Sequence, residues 1–353
     1  MILDDLAAMR ALDPEDMLSY IRRLPADLLT AWQLGLSHPL PQLPPVRQVV
    51  IAGMGGSAIG ADLLAAYLAP SCPVPVIVHR DYGLPGWAQG SETLVIASSH
   101  SGNTEETLSS FALAGERGCT RLAVCTGGQL AAQAQAAGAP CWIFEHHGQP
   151  RTAVAYSFAL LLAAFYRLNL IPNPQAELES VAALLRQQEI AFQPETPVCQ
   201  NPAKRLAGQL VDRWVVVLAS DYLDPVARRW KGQISELAKA WAQFEFLPEA
   251  DHNSLAGILN PETALEKTFV LFLRAPSDHP RNRLRSNFTR QTMLIQALGT
   301  DTVDALGDTP LAHIWTALQY GDYVSYYLAM AYGVDPTPVE ALQALKNNLN
   351  AVK

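Results

Sequence analysis

The stretch Gln48-Val-Val-Ile-Ala-Gly53-Met-Gly55-Gly56-Ser57-Ala58-Ile-Gly60 decides the fold. A β-branched run enters a glycine turn, and small helix-favouring residues follow. Glycines let the backbone bend tightly enough for consecutive N–H groups to face an anion at a helix N-terminus. Taken alone, Gly53-x-Gly55-x-x-Ala58 also fits the dinucleotide fingerprint, and Asp81 stands where a ribose-binding acid would. A plain strand–helix turn and a surface acid explain the same residues. A second stretch separates these readings. Ser98-Ser99-His100-Ser101-Gly102-Asn103-Thr104-Glu105-Glu106-Thr107 again follows a strand and opens a helix. Its hydroxyls can satisfy several phosphate oxygens through neutral donors, and Thr104 as an N-cap explains one of them at most. A dinucleotide site needs no second nest here. No Gly-Lys-Ser/Thr follows, which disfavours a triphosphate loop. Together the two turns point to a monophosphate held without a fixed cation.

Outward from these turns, short β-branched runs alternate with helical ones. Strands are predicted at Gln48–Ala52, Val74–His79, Thr93–Ser98, Arg121–Cys125 and Cys141–Phe144, with helices at Ala58–Leu68, Thr104–Glu116 and Gln129–Ala137. Such alternation implies right-handed βαβ units and a parallel, doubly wound sheet. Helices at 151–167 and 175–191 lead into a Pro-rich stretch, Gln193 to Pro202, that reads as a linker. Beyond it the rhythm restarts: strand Trp214–Ala219, helix Ala227–Gln243, strand Thr268–Leu273, helix Asn282–Leu298, strand Thr302–Ala305 and helix Leu311–Tyr332. The organisation expected is a helical segment at 1–45, one α/β unit at 46–192 and a second at 203–353.

Composition narrows the function classes. Among 353 residues, 25 Lys and Arg stand against 33 Asp and Glu, giving a net charge of -8. An acidic chain gains nothing from counterion release, so nucleic acid is not an expected partner. The cluster Arg281, Arg283, Arg285 and Arg290 reads accordingly as a solvated helix face. The residues are 49% hydrophobic, enough for buried cores. The apolar run Thr152–Tyr166 falls short of the ~20 residues of a membrane span. Five cysteines (Cys72, Cys119, Cys125, Cys141, Cys199) form no CxxC pair. They read as reduced, mostly buried thiols, and a start without a basic and then apolar segment leads to the same cytoplasmic expectation. His146 and His147 are adjacent, and no HxxxH or HxH occurs, so neither a metal nor another cofactor is expected.

The two turns resemble those of the sugar isomerase (SIS) fold, and specifically those of the bifunctional phosphoglucose/phosphomannose isomerases. The likeness runs through nearly the whole chain. It takes in the acidic opening from Leu3-Asp4-Asp5 to Trp32, the Pro150-Arg151 turn, Trp230-Lys-Gly-Gln-Ile-Ser-Glu236, Asp251-His252-Asn253, and Asp335-Pro336 through Leu345-Lys346. The resemblance implies two SIS domains and a homodimer that interconverts fructose 6-phosphate with glucose 6-phosphate and mannose 6-phosphate through a cis-enediolate.

It also implies roles. Phosphate ligands fall on Ser57, Ser99, Ser101 and Thr104, with the Gly55-Gly56 backbone beside the sugar. Glu236 matches the proton-shuttling glutamate, whose ordinary alternative is an ion pair with Lys239 one helical turn on. Arg151 matches the enediolate-stabilising arginine; as a mere helix-start cation it would oppose the macrodipole. His252 matches the ring-opening histidine supplied by a neighbouring subunit, and Lys346 a C-terminal lysine serving the same step. One position departs from the pattern: the family's threonine seven residues before that lysine is Val339 here, with Thr337 two residues earlier. This leaves the preferred epimer open. Retention of Arg151, Glu236, His252 and Lys346 argues against a non-catalytic sugar-phosphate sensor, which would need only the phosphate nests. A nicotinamide-dependent oxidoreductase and a glutamine-dependent amidotransferase are weaker alternatives, the second because no glutaminase half precedes the sugar-binding part.

Overall fold

The computed structural model describes residues 2–351. Two parallel sheets form its framework, each covered by helices. The first contains β1 (Gln48–Ala52), β2 (Val76–His79), β3 (Thr93–Ser99), β4 (Thr120–Cys125) and β5 (Cys141–Ile143) in the order β2-β1-β3-β4-β5. The second contains β6 (Trp214–Ser220), β7 (Ala242–Leu247), β8 (Thr268–Arg274) and β9 (Gly299–Asp304) in the order β7-β6-β8-β9. Every strand pairing is parallel. β3 is buried along its whole length, as a central parallel strand covered on both faces must be. In each sheet the winding direction reverses between two central strands, β1 and β3 in one and β6 and β8 in the other. Such a switch point opens a crevice at the strand C-termini.

Two apolar helices fill the centre. Residues 154–165 of the helix Val154–Arg167 are all buried, and the helix packs against both Leu24–Ser37 and Gly55–Leu68. The approach is close: a Cβ on Gly60 would lie 2.5 Å from that of Ser157. The helix Pro310–Tyr332 packs against Asp224–Leu237, where a Cβ on Gly321 would strike the Trp230 indole. Among the described residues, no helix is long and apolar enough to cross a membrane. The cysteines are free, but only Cys119 and Cys125 are fully buried, and Cys199 is exposed.

Two sequence expectations need correction. The helix expected through Gln243 ends at Leu237, and Ala242–Leu247 form the edge strand β7. No Gly or Pro marks this stop. Lys239 instead takes the left-handed conformation (φ 55°) that glycine usually supplies, and its Nζ donates to the Glu236 carbonyl at 2.6 Å. The Pro-rich linker also ends in structure: Asn201 accepts from the Lys204 N–H and caps a helix, Pro202–Leu210, that was not expected. Pro202 opens that helix, a position where its missing N–H costs nothing.

A buried ion pair joins the Asp224 helix to the central one. Arg229 donates to Asp322 from Nε at 3.1 Å and Nη2 at 2.9 Å, and Gln233 adds a third bond at 2.9 Å. Asp322→Leu leaves the buried guanidinium without its counter-charge. Urea unfolding should show a loss of about 3–5 kcal/mol, the usual effect of breaking such a pair. A loss below about 1 kcal/mol would mean that water reaches Arg229.

Candidate active site

Both glycine- and hydroxyl-bearing turns lie at the β1/β3 switch point. The helix Gly55–Leu68 begins directly after the first, with no side-chain cap and no acid in its first turn. The helix Glu105–Glu116 begins after the second. Thr104 occupies its N-cap position, yet its hydroxyl makes no cap and bonds Ser99 Oγ at 2.9 Å instead. Neither helix N-terminus is capped by a side chain, and Glu105 and Glu106 stand in the first turn of the second. The turns are also tied to one another, because the His100 N–H donates to Ser57 Oγ at 3.0 Å. Gly102 N–H donates to Ser99 Oγ at 3.1 Å and Asn103 N–H to Ser101 Oγ at 3.2 Å. Gly102 has φ 67°, and a Cβ there would run into the Gly127 carbonyl, so the turn rests on the loop after β4. Ser57, Ser99, Ser101 and Thr104 thus belong to two linked turns, with Ser57 and Ser99 buried, Thr104 half-buried and Ser101 exposed.

Arg151 comes beside the glycine turn from the 3₁₀ turn Pro150–Thr152. A Cβ on Gly56 would lie 2.4 Å from the Pro150 carbonyl oxygen and 3.2 Å from the Arg151 nitrogen. Only a glycine lets this turn and the Arg151 turn touch. The guanidinium is 4% exposed. Its Nη2 donates to the Pro336 carbonyl at 2.9 Å and to the Thr337 carbonyl, and its Nη1 reaches Glu236 Oε2 at 3.4 Å. Burial pushes the Arg151 pKa down; Glu236 pulls it back, and Arg229 adds to the depression. The Glu236 side chain remains about one-third exposed, so its carboxylate meets both the guanidinium and solvent. Lys239 does not pair with that carboxylate; it bonds the carbonyl of the same residue.

The remaining expected residues lie apart from this pair. His252 is exposed at the end of the 3₁₀ turn Glu249–His252, and Lys346 is exposed on the helix Glu340–Ala351. Among the described residues, neither hydrogen-bonds to Arg151 or Glu236. Val339 is half-buried just before the terminal helix, whereas Thr337 is buried against Arg151 with its hydroxyl unpartnered. Asp81 is an exposed turn residue accepting from the Tyr82 N–H, which suits its surface reading. Of the basic cluster, Arg281 and Arg283 are exposed, and Arg285 pairs with Asp251. Among the described residues, no group of three His, Cys, Asp or Glu is arranged to hold a metal. Sequence reasoning missed the Pro336 and Thr337 carbonyls, because backbone acceptors carry no residue-type signal.

Comparison with known proteins agrees with this geometry. Over 339 residues the chain is 37% identical to the bifunctional phosphoglucose/phosphomannose isomerase of Caldicellulosiruptor bescii, covering 96% of this chain and 100% of that protein. The chain belongs to that family. The Aquifex aeolicus member is 33% identical across 87% of this chain and 92% of its own. Residues 199–349 match the family described as "Bacterial phospho-glucose isomerase C-terminal SIS domain". A glucose-6-phosphate isomerase like protein from Thermus thermophilus shares the fold, with a TM-score of 0.62 at 20% identity over 96% of this chain and 99% of that one.

Gly56→Ala tests the contact between the two turns. Because the clash is with backbone, the new methyl must push the Pro150–Arg151 turn away from the glycine turn. Turnover should fall at least tenfold at wild-type protein concentration, while the midpoint of thermal unfolding moves by only a few degrees. Unchanged turnover would show that the turns need not touch.

Proposed function

We propose that this protein interconverts fructose 6-phosphate with glucose 6-phosphate and mannose 6-phosphate through a cis-enediolate. The observation that carries the proposal is the Arg151–Glu236 pair set against the Gly56 backbone, beside two uncapped helix N-termini. Phosphate binds by its oxygens to the hydroxyls of Ser57, Ser99, Ser101 and Thr104, and the Gly55-Gly56 backbone lies beside the sugar. This leaves the other end of an open-chain sugar free to extend toward Glu236.

Isomerisation moves a proton between C1 and C2. Glu236 removes it from one carbon and returns it to the other, and its partly exposed carboxylate is the only base such a cycle requires. The enediolate oxygens acquire charge between these steps, and Arg151 is already fixed there by carbonyls that do not move. Lys346 and His252 assist opening of the pyranose ring. His252, exposed in its own protomer, acts in the site of the partner within a homodimer. The protein is cytoplasmic in this reading and serves glycolysis and gluconeogenesis. Val339 brings no hydroxyl to the reacting carbons, so discrimination between the two aldose epimers rests on shape and on other donors.

Glu236→Gln keeps size and removes the base. Turnover should fall by several orders of magnitude, while calorimetric affinity for glucose 6-phosphate stays within a few-fold of wild type. A variant that still turns over at wild-type rate would remove Glu236 from the mechanism.

A further inference from the structure

His100 lies in the hydroxyl-rich turn, but nothing above uses its ring. Its Nε2 stands 3.0 Å from His146 Nδ1, with the two rings nearly perpendicular at 84°. The other nitrogen of His146, Nε2, lies 3.4 Å from the Thr152 hydroxyl, next to Arg151. The backbone of His100 is pinned as well: its N–H donates to Ser57 Oγ, and its carbonyl accepts from both the N–H and the hydroxyl of Thr126. Aromatic rings enclose the couple, with Phe144 against His100 and Tyr20 and Tyr156 against His146.

Proton counting fixes the order of donors. The single proton of the Thr152 hydroxyl is donated to the Gln149 carbonyl at 2.8 Å. Toward His146 the hydroxyl can therefore only accept, which places a hydrogen on His146 Nε2. His146 Nδ1 is then bare and accepts from His100 Nε2–H. This order requires His146 to be uncharged, whereas His100 carries the Nε2–H in its neutral and charged forms alike. Burial holds His100 below its usual range, and burial, then His100, Arg23 and His147, push His146 down to about 4. A line of directed hydrogen bonds thus runs from Ser57 through His100 and His146 to the turn that carries Arg151.

We propose that His100 and His146 act as a hydrogen-bonded imidazole couple that positions the Arg151 turn against the phosphate turn. Both are positioning residues, since neither ring is given a reacting atom, and their role rests on the isomerase reading above. The couple sets the distance between the anchored phosphate and the guanidinium, a distance on which stabilisation of the enediolate depends. The Gly56–Pro150 contact stops the turns from approaching further, and the couple stops them from separating.

Two measurements on the full-length protein test this. Imidazole ¹⁵N spectra at pH 7 should show both rings neutral and as the Nε2–H tautomer. A Nδ1–H form at either residue, or rings averaging between tautomers, would overturn the couple. In kinetics, His146→Leu removes both the bond from His100 and the longer one to Thr152, and should lower kcat at least fivefold, with KM changed less than twofold. His146→Asn places an amide oxygen where Nδ1 stood and should restore most of that loss. A Leu variant with wild-type kcat, or an Asn variant no better than Leu at equal thermal stability, would contradict a positioning role. An inactive wild-type protein would instead remove the isomerase reading and the positioning role together, and the tautomers would still decide the couple.

Discussion

A guanidinium that is almost wholly buried has to find its acceptors inside the protein, and Arg151 finds them in two distant stretches of the chain. Glu236 comes from the helix that follows β6, and the Pro336 and Thr337 carbonyls come from the segment between the central and terminal helices. Asp335 holds that segment in shape by accepting the Thr337 N–H at 2.8 Å. Burying a charge without these partners would cost several kcal/mol, roughly the stability margin of a domain. The fold around the site therefore depends on closing the second α/β unit over the Arg151 turn of the first. The same closure puts the Glu236 carboxylate beside a fixed guanidinium, so that in the proposed reaction charge compensation also sets the catalytic geometry.

The two sheets repeat a topology and use it oppositely. At the β1/β3 switch point, helix N-termini meet neutral hydroxyls and glycine backbone. At the β6/β8 switch point stand Asp221, Asp224 and Asp278. Asp221 accepts from the His279 N–H at 2.9 Å and from Asn282 Nδ2 at 3.1 Å, at the start of the helix Pro280–Ile295. A carboxylate thus stands where the first sheet has helix N-termini without a side-chain cap. Burial, together with the neighbouring Asp221 carboxylate, raises Asp224 and Asp278 to about 7. The second unit supplies Glu236 to the pair with Arg151.

Much of this was legible from residue types. Glycine turns, β-branched strands and apolar helices have distinct periods, and the parallel winding followed from their alternation. The pairing of Arg151 with Glu236, 85 positions apart in sequence, is not a local pattern; the family resemblance alone marked both residues. Local rules failed where one residue replaced the customary one. Lys239 ends a helix as a left-handed non-glycine, so the expected helix overruns into the first two residues of β7. Pro202 opens a helix and was read as a linker. In the sequence His100 is only one residue of the hydroxyl-rich turn, and His146 half of an unpromising metal pair. Their bond joins the ends of β3 and β5, two strands that are not neighbours in the sheet, and no sequence spacing encodes that distance.

The central claim is that one carboxylate moves a proton between adjacent carbons beside a fixed guanidinium. Conversion of [2-²H]glucose 6-phosphate to fructose 6-phosphate in ordinary water, followed by NMR at C1, tests it most directly. A base that holds the label on an exchangeable carboxyl must release part of it to solvent, so the product should carry deuterium at C1 in less than stoichiometric amount. Complete retention at C1 would indicate a direct hydride shift and contradict the mechanism, and failure to convert the substrate at all would contradict the function.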